Sequence, residues 1–139
     1  LLYSSCVVTP RDIEFSERLG ILSGEFKRLV SDWKPDHCAI EKLFFTNNQK
    51  TAMRVSETRG AIMSAAEEAG LEVFDYSPLE IKVAVTGFGH AGKGEVANMV
   101  RRLVSIPHVP KHDDEYDAIA CGLAHLAITR PTYPHGRTF

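Results

Sequence analysis

The sequence has no marked excess of either charge and no apolar run long enough to span a membrane. Its 16 Lys and Arg residues nearly balance 18 Asp and Glu residues, and the formal net charge is −2. The chain as a whole therefore has no electrostatic attraction for nucleic acid or anionic lipid, so any such binding must come from locally arranged Lys and Arg. We expect neither a transmembrane segment nor a signal peptide.

Cysteines are also few, and none forms a Cys-x-x-Cys pair. Cys6, Cys38 and Cys121 are widely spaced and odd in number, which predicts reduced thiols and a cytoplasmic protein. A length of 139 residues with 44% hydrophobic content is enough for one core and too short for two comfortable ones. We predict one domain over residues 1–130 and a flexible tail over residues 131–139.

The hydrophobic pattern alternates between short apolar runs and amphipathic stretches, which predicts an α/β protein. Three strands are predicted, over 2–9, 37–41 and 71–76. Five helices are predicted, over 15–33, 49–69, 77–85, 94–104 and from Asp113 or Asp114 to Ile128. The first helix is expected to pack on the sheet. The long helix over 49–69 has apolar residues around its whole circumference, and we predict two buried faces, the second for another copy of the protein.

A single carboxylate ends the second predicted strand. Glu41 follows the short apolar run from His37, and ligands of open α/β sheets bind at the carboxyl ends of strands. A Glu at a strand end that only meets solvent is the alternative. Phe44 and Phe45 follow after Lys42 and Leu43, and at least one is expected to project beside the acid, where an aromatic could stack on or wedge between bases.

A second acidic cluster begins the last predicted helix. Asp114 and Asp117 are three residues apart and Asp113 and Asp117 four apart, so either pair projects to one side of the first turn. Helix N-terminal acids that only complement the macrodipole are the alternative. Like charges at the border of an apolar surface are tolerated when a hard divalent cation sits among them, and Mg²⁺ prefers oxygen ligands. With Glu41 in reach, the set could hold two ions for phosphodiester hydrolysis.

The glycine-rich stretch 87–94 matches two phosphate-binding patterns incompletely. Gly94 stands where a phosphate loop needs Ser or Thr, and no acidic strand end follows at the spacing of a dinucleotide fold. We interpret the stretch as a loop before a helix N-terminus, with Lys93 and backbone amides available to a phosphate. A purely structural loop is an equal alternative.

Together these residues resemble the RuvC family of bacterial Holliday junction resolvases, from Leu1 to about Thr129. The resemblance is carried by four motifs: Pro35-Asp36-x-x-Ala39-Ile40-Glu41-x-x-Phe44, the helical stretch Met53 to Ala61, the loop Val85-Thr86-Gly87-x-Gly89 with Lys93, and Asp114-Glu115-Tyr116-Asp117-Ala118-Ile119-Ala120.

The resemblance implies an RNase H-like fold and a homodimer formed through the helix around 49–69. It further implies Mg²⁺-dependent nicking of two opposed strands at a four-way DNA junction, with Mn²⁺ as a substitute ion. By resemblance, Glu41, Asp114 and Asp117 are metal ligands and catalytic residues, with Asp113 ranked lower. Phe44 wedges into the junction, Lys82 and Lys93 contact phosphates, and the RuvA–RuvB branch-migration complex is a candidate partner.

One family feature is missing from the sequence. The family opens with a strand ending in G-I-D-P-G, whose Asp is a fourth acidic ligand, and no such motif stands here. In the RNase H-like order the absent strands would separate residues 1–9 from the strand ending at Glu41, which leaves residues 1–9 without a neighbour. We expect about two strands of a longer protein to be missing. The alternatives are a degenerate, non-cleaving module that binds junctions, and a nucleotide-binding protein that uses 87–94.

Overall fold

A computed structural model describes residues 1–43 and 49–129 of the chain. Within these ranges it forms an α/β fold, as the pattern predicts. The elements, in chain order, are α1 (Phe15–Trp33), β1 (His37–Glu41), α2 (Gln49–Glu68), β2 (Glu72–Tyr76), α3 (Pro78–Thr86), α4 (Lys93–Leu103) and α5 (Asp113–Ile128). The predicted bounds of the five helices and of β1 and β2 agree with these to within a residue or two.

The sheet of the described residues has two parallel strands, β1 and β2. Parallel neighbours need a crossover, and α2 supplies it. The register pairs His37 with Glu72 and Glu41 with Tyr76, and the amide of Lys42 extends the ladder by donating to the Tyr76 carbonyl at 2.7 Å. Both strands therefore end at the same edge of the sheet.

Helix α5 is the centre of the core. It packs against α3, α4 and both strands. Its apolar residues lie around most of its circumference, so several of its faces have to be buried against other elements. The buried cluster around it consists of Tyr76, Ile81, Val85, Ala91, Val96, Val100, Tyr116, Ile119, Ala120, Cys121 and Ala124.

The predicted strand over residues 2–9 is wrong: residues 1–9 have no regular secondary structure. An isolated strand cannot pair its own amides and carbonyls, and the sheet of the described residues brings no third strand beside it. Side chains hold this segment instead. Tyr3 stacks on Trp33 with ring centroids 6.0 Å apart, and Arg18 Nε donates to Thr9 Oγ1 at 2.8 Å.

Helix α1 packs mainly on α2, and not on the sheet as predicted. None of its residues is buried. Within one chain α2 buries Ala65 and Ala66 but leaves Met53 65% and Val55 43% exposed, so the second buried face predicted for it is not formed by the described residues.

Several predictions fall outside the described residues. These concern Phe44, Phe45 and the tail over residues 131–139. A search of the helices within residues 1–43 and 49–129 found none that combines the length and the apolar character needed to cross a membrane.

Candidate active site

Strand β1 and helix α5 run side by side with matched lengths, and this match places their functional ends together. Four residues separate His37 from Glu41, about 13 Å of strand. Eight residues separate Asp117 from His125, about 12 Å of helix. Since His125 contacts His37 at one end, Asp117 comes to lie beside Glu41 at the other, where both line the same clefts.

The acids meet in a cleft between β1, α2 and α5, called here the acidic cleft. Its volume is about 420 Å³. Glu41, Asp114 and Asp117 all line it, beside the apolar side chains of Phe26 and Ile62. Asp113, which the sequence ranked lower, lies on the same first turn of α5 but lines neither this cleft nor the neighbouring one.

Two helix N-termini bring basic residues to the same corner. Helix α3 begins directly after β2 because Ser77 forms a capping box: its Oγ accepts from the amide of Glu80 at 3.2 Å, and its own amide donates to Glu80 Oε2 at 2.7 Å. Lys82 lies about one turn into this helix. Helix α4 begins at Lys93, and the Gly92 amide before it donates to Glu95 Oε2 at 2.7 Å.

The two lysines and two of the acids line a second cleft of about 320 Å³, called here the lysine cleft. Its polar lining residues are Glu41, Lys82, Lys93 and Asp117. Lys93 Nζ lies 3.6 Å from Asp117 Oδ2. The acidic cleft and the lysine cleft share Glu41 and Asp117, so carboxylates and ammonium groups surround one point at the end of β1.

Electrostatics at this point disfavour the carboxylate of Glu41. Partial burial and the nearby charge of Asp117 raise the pKa of Glu41 above its usual 4.5, and the charges of Lys93 and Lys82 oppose the rise only in part. The site thus holds two like charges close together in a partly desolvated corner. A cation between them would relieve this repulsion.

Two residues before Asp117, the same helix carries an acid with the opposite environment. Glu115 is only 4% exposed; its Oε1 accepts from Ser4 Oγ at 2.7 Å and lies 2.6 Å from His108 Nε2. Burial raises the pKa of Glu115, but these hydrogen bonds and the charges of His108 and His112 outweigh it, so the pKa lies below 4.5. The acid ties two flanking segments to the first turn of α5.

At the far end of β1, a chain of hydrogen bonds crosses the core. Tyr76 Oη lies 2.8 Å from His125 Nδ1, and His125 Nε2 lies 2.9 Å from His37 Nδ1. The pKa of His125 is lowered, mainly by burial and further by the charge of His37, while the charge of Glu72 opposes the shift. This contact joins α5 to β1 at the end of the strand opposite Glu41.

Comparisons with known proteins agree on one family. The family profile described as "Crossover junction endodeoxyribonuclease RuvC" matches residues 1–125. Proteins of that name from Pelotomaculum thermopropionicum and Halothermothrix orenii are 41% and 40% identical, over 90% and 84% of this chain and 76% and 71% of their own lengths. The chain belongs to the RuvC family. Its fold is accordingly RNase H-like, and its class is that of nucleases.

A solved structure supports the assignment in three dimensions. The structure titled "T. thermophilus RuvC in complex with Holliday junction substrate" superposes with a TM-score of 0.86 at 33% identity, over 93% of this chain and 78% of that one. A second solved structure, "Thermus thermophilus RuvC structure", superposes with a TM-score of 0.83. The RuvC fold thus extends over nearly all of the chain.

The donor set of this RuvC-family chain fits a hard divalent cation in part. Among residues 1–43 and 49–129, no three His, Cys, Asp or Glu side chains converge closely enough to hold an ion together. Mg²⁺, however, keeps several waters and is commonly bound by one or two carboxylates. The paired Glu41 and Asp117, with Asp114 in the same cleft, meet that requirement.

The glycine-rich loop contradicts the nucleotide-binding alternative. Both phosphate-binding patterns need a strand before the loop, whereas residues 87–92 follow helix α3. The loop connects two helices and sets Lys93 at the start of α4. Its partial matches to two motifs therefore arise from a helix-to-helix turn.

Sequence reasoning found the acids and lysines but gave no role to Glu115, His108 or His125. One signal was available for His125, since it lies eight residues after Asp117 and therefore on the same face of α5. No pattern in the sequence pointed to Ser4 or His108 as partners of Glu115. Ser4 lies 111 positions before Glu115 and His108 lies seven positions before it, and both belong to irregular segments.

Proposed function

We propose that the chain acts as a Holliday junction resolvase, which cuts four-way DNA junctions in recombination and repair by metal-dependent hydrolysis of phosphodiester bonds. One observation carries the proposal: Glu41 and Asp117 share a cleft with Lys82 and Lys93 at the end of β1. Both kinds of group suit metal-dependent phosphodiester hydrolysis, since carboxylates can hold a divalent cation and ammonium groups can bind the phosphate. Further support comes from the similar protein whose title names a Holliday junction substrate.

The acids and lysines divide the work between them. Glu41, Asp114 and Asp117 would hold the cation, Mg²⁺ with Mn²⁺ as a substitute. When bound, the cation activates a water and stabilises the leaving oxygen. Lys93 balances Asp117 at 3.6 Å and, with Lys82, is available to the oxygens of the scissile phosphate.

A homodimer through α2 would explain why the cuts come in pairs. Met53 and Val55 on α2 are largely exposed in one chain, and a Cβ at Gly60 would meet nothing within 4 Å, so a second helix has room to approach. A two-fold axis would direct two equivalent sites at opposite strands. Phe44 as the wedging aromatic and the RuvA–RuvB complex as a partner follow from the family resemblance.

The cytoplasm is the compartment we propose. All three cysteines are free thiols, which suits a reducing environment.

The test is cleavage of a synthetic four-way junction by the full-length protein in Mg²⁺. Glu41→Gln and Asp117→Asn should each slow cleavage by about 100-fold or more, because each removes a cation-binding charge at the reacting phosphate. The matched control is Asp113→Asn, an exposed acid on the same turn that lines neither cleft; it should leave the rate within about twofold.

The binding of the same junction is measured in parallel. If the Glu41→Gln variant cuts as fast as the wild-type protein, the assignment of the acids is wrong. If the wild-type protein binds the junction in Mg²⁺ and yields no product, the non-cleaving module is the correct account.

A further inference from the structure

An exposed apolar surface adjoins the lysine cleft. It consists of Leu79, Val83 and Phe88, whose exposed fractions are 57%, 48% and 73%, and is called here the Phe88 ledge. Single apolar residues on a surface are ordinary, but a contiguous group that includes an aromatic ring marks an interaction site. The reaction proposed above gives these three side chains no role.

Two residues of the ledge, Leu79 and Val83, lie on the same face of α3 as Lys82. Residues 79, 82, 83 and 86 follow the i, i+3, i+4, i+7 spacing of one helix face. Gly89 then brings the loop back over that face, since a Cβ at Gly89 would clash with Cδ1 of Leu79 and lie 3.5 Å from Cγ2 of Val83. The loop backbone therefore rests on Leu79 and Val83.

The ring of Phe88 is held at the tip of a well-braced loop. Thr86 Oγ1 donates to the Lys82 carbonyl at 2.8 Å and accepts from the Phe88 amide at 3.1 Å. Gly87 takes the left-handed conformation with φ 78°, and the Ala91 amide donates to the Phe88 carbonyl at 3.3 Å. Ala91 itself is buried. The backbone is anchored on both sides of a side chain that points into solvent.

The charges beside the ledge favour a polyanion as its occupant. Between residues 79 and 93 the fixed charges are Glu80, Lys82 and Lys93, and Glu80 is engaged with Ser77 in the helix cap. Lys82 and Lys93 both line the neighbouring lysine cleft, so the ammonium groups lie to one side of the aromatic ring. Basic groups that follow a backbone, together with aromatic rings that stack on bases, are the general pattern of strand-binding surfaces.

A protein partner fits less well. A stable protein interface takes about 20–30 residues from each side, whereas the ledge has three side chains and is bordered by charge. One nucleobase or sugar has the size of this surface.

We propose that Leu79, Val83 and Phe88 form a stacking platform for a nucleobase of the DNA strand whose phosphates Lys82 and Lys93 contact. The proposal rests on the resolvase function proposed above and adds a substrate contact to it. Phe88 makes the face-on contact, and Leu79 and Val83 support the loop that carries it. The platform takes any base, because every base has a π-face.

The first test measures junction binding by the full-length protein in the Glu41→Gln background, which separates binding from cleavage. Phe88→Ala should weaken binding by about tenfold, as for loss of one stacked base, with the slope of affinity against salt unchanged. Lys82→Ala should weaken binding and reduce that slope by about one. Phe88→Tyr should restore most of the affinity. Val109→Ala, which removes another highly exposed apolar side chain, should have no effect.

The second test reads stacking directly. Trp33 is the single tryptophan, so Trp33→Phe combined with Phe88→Trp places one fluorophore on the ledge. Junction DNA should quench it, whereas Val109→Trp combined with Trp33→Phe alone should keep its emission.

Each failure has its own signature. If the Glu41→Gln parent does not bind the junction, the resolvase function and the ledge both fail. If the parent binds and Phe88→Ala binds equally well, only the ledge proposal is overturned. If Phe88→Ala instead shifts the protein towards monomers in sedimentation, with junction affinity per dimer intact, the occupant is a second copy and the proposal is wrong.

Discussion

The two ends of β1 are packed against the same helix, yet their polar groups have opposite environments. Towards the far end, the hydroxyl of Tyr76, whose backbone pairs with Glu41, reaches His125, and His125 contacts His37 in turn. At the near end, Glu41 and Asp117 repel each other, and the pKa of Glu41 is raised. The polar groups at one end are hydrogen-bonded within the chain, whereas the carboxylates at the other end keep a repulsion that a bound cation would relieve.

The same contrast appears within a single helical turn of α5. Glu115 is buried and held by two hydrogen-bond partners, and its pKa is lowered, whereas Asp117 lies in the open cleft beside Glu41, with Lys93 3.6 Å away. Under the proposed function, stability and metal binding thus fall to neighbouring carboxylates of the same motif. The difference teaches that an acid's role in this motif is decided by what faces it and not by its place in the sequence.

The largest effect on stability should come from the satisfied acid. Glu115→Ala should lower the free energy of unfolding by about 2–3 kcal/mol, because it removes a buried charged acceptor from two hydrogen bonds. Urea denaturation measures the change. Asp113→Ala, an exposed acid two residues earlier, should cost less than about 1 kcal/mol. Equal losses would show that burial of Glu115 contributes nothing.

An intermediate effect should come from the unsatisfied end. Mg²⁺ at ten times its Kd should stabilise the protein by about 1.4 kcal/mol, since it binds the folded state alone. Glu41→Gln should raise the Tm in EDTA, because it removes one of two like charges, and should shrink the shift caused by Mg²⁺. Thermal melts of both proteins with and without Mg²⁺ test this. If Glu41→Gln has a lower Tm than the wild-type protein in EDTA and keeps the full Tm shift caused by Mg²⁺, the Glu41 end of β1 is not an unsatisfied cation site.

The smallest effect should be a pH dependence at the satisfied end. The pKa of His125 is lowered in the folded state from its usual 6.5, so the unfolded chain takes up a proton first as the pH falls. The contribution of His125 to the free energy of unfolding is therefore constant above about pH 7 and decreases as the pH drops through 6.5. A second decrease should follow below pH 4.5, where the lowered pKa of Glu115 acts in the same direction.

Denaturation between pH 7.5 and 5.5 measures the first decrease. His125→Gln, which has no titrating ring, should remove part of the slope whatever its absolute stability. His90→Gln, at an exposed histidine of the glycine loop, should keep the slope of the wild-type protein. A slope that His125→Gln leaves unchanged would place the titrating group elsewhere.

Local signals were sufficient for most of the secondary structure. The helices predicted over 15–33, 49–69 and 77–85 correspond to α1, α2 and α3 of the structure. The failures concern partners in space. Residues 2–9 have the composition of a strand but no ladder beside them among the described residues, and α1 has the stripe of a sheet-packing helix but packs on α2.

The sequence predicted which residues belong to the candidate site, but it predicted less of how they are arranged in space. The strand-end position of Glu41 and the helix-start position of Asp114 and Asp117 follow from sequence alone. The sequence did not predict that Asp117 faces both clefts while Glu115 faces inward, since this depends on how far α5 is rotated and shifted against β1. Nor did it predict the ledge, which forms only when Gly89 folds back over α3.

The sequence by itself determined which residue types were available and at what spacing: acids at the end of a strand and the start of a helix, and lysines near two helix starts. These follow from short-range propensities, in which neighbouring residues decide each other's conformation. The tertiary structure alone decided which acid is satisfied and which is left charged. That outcome depends on the packing of α5 against β1, β2, α3 and α4, because contacts such as His37–His125, 88 positions apart in sequence, join elements that no local pattern connects.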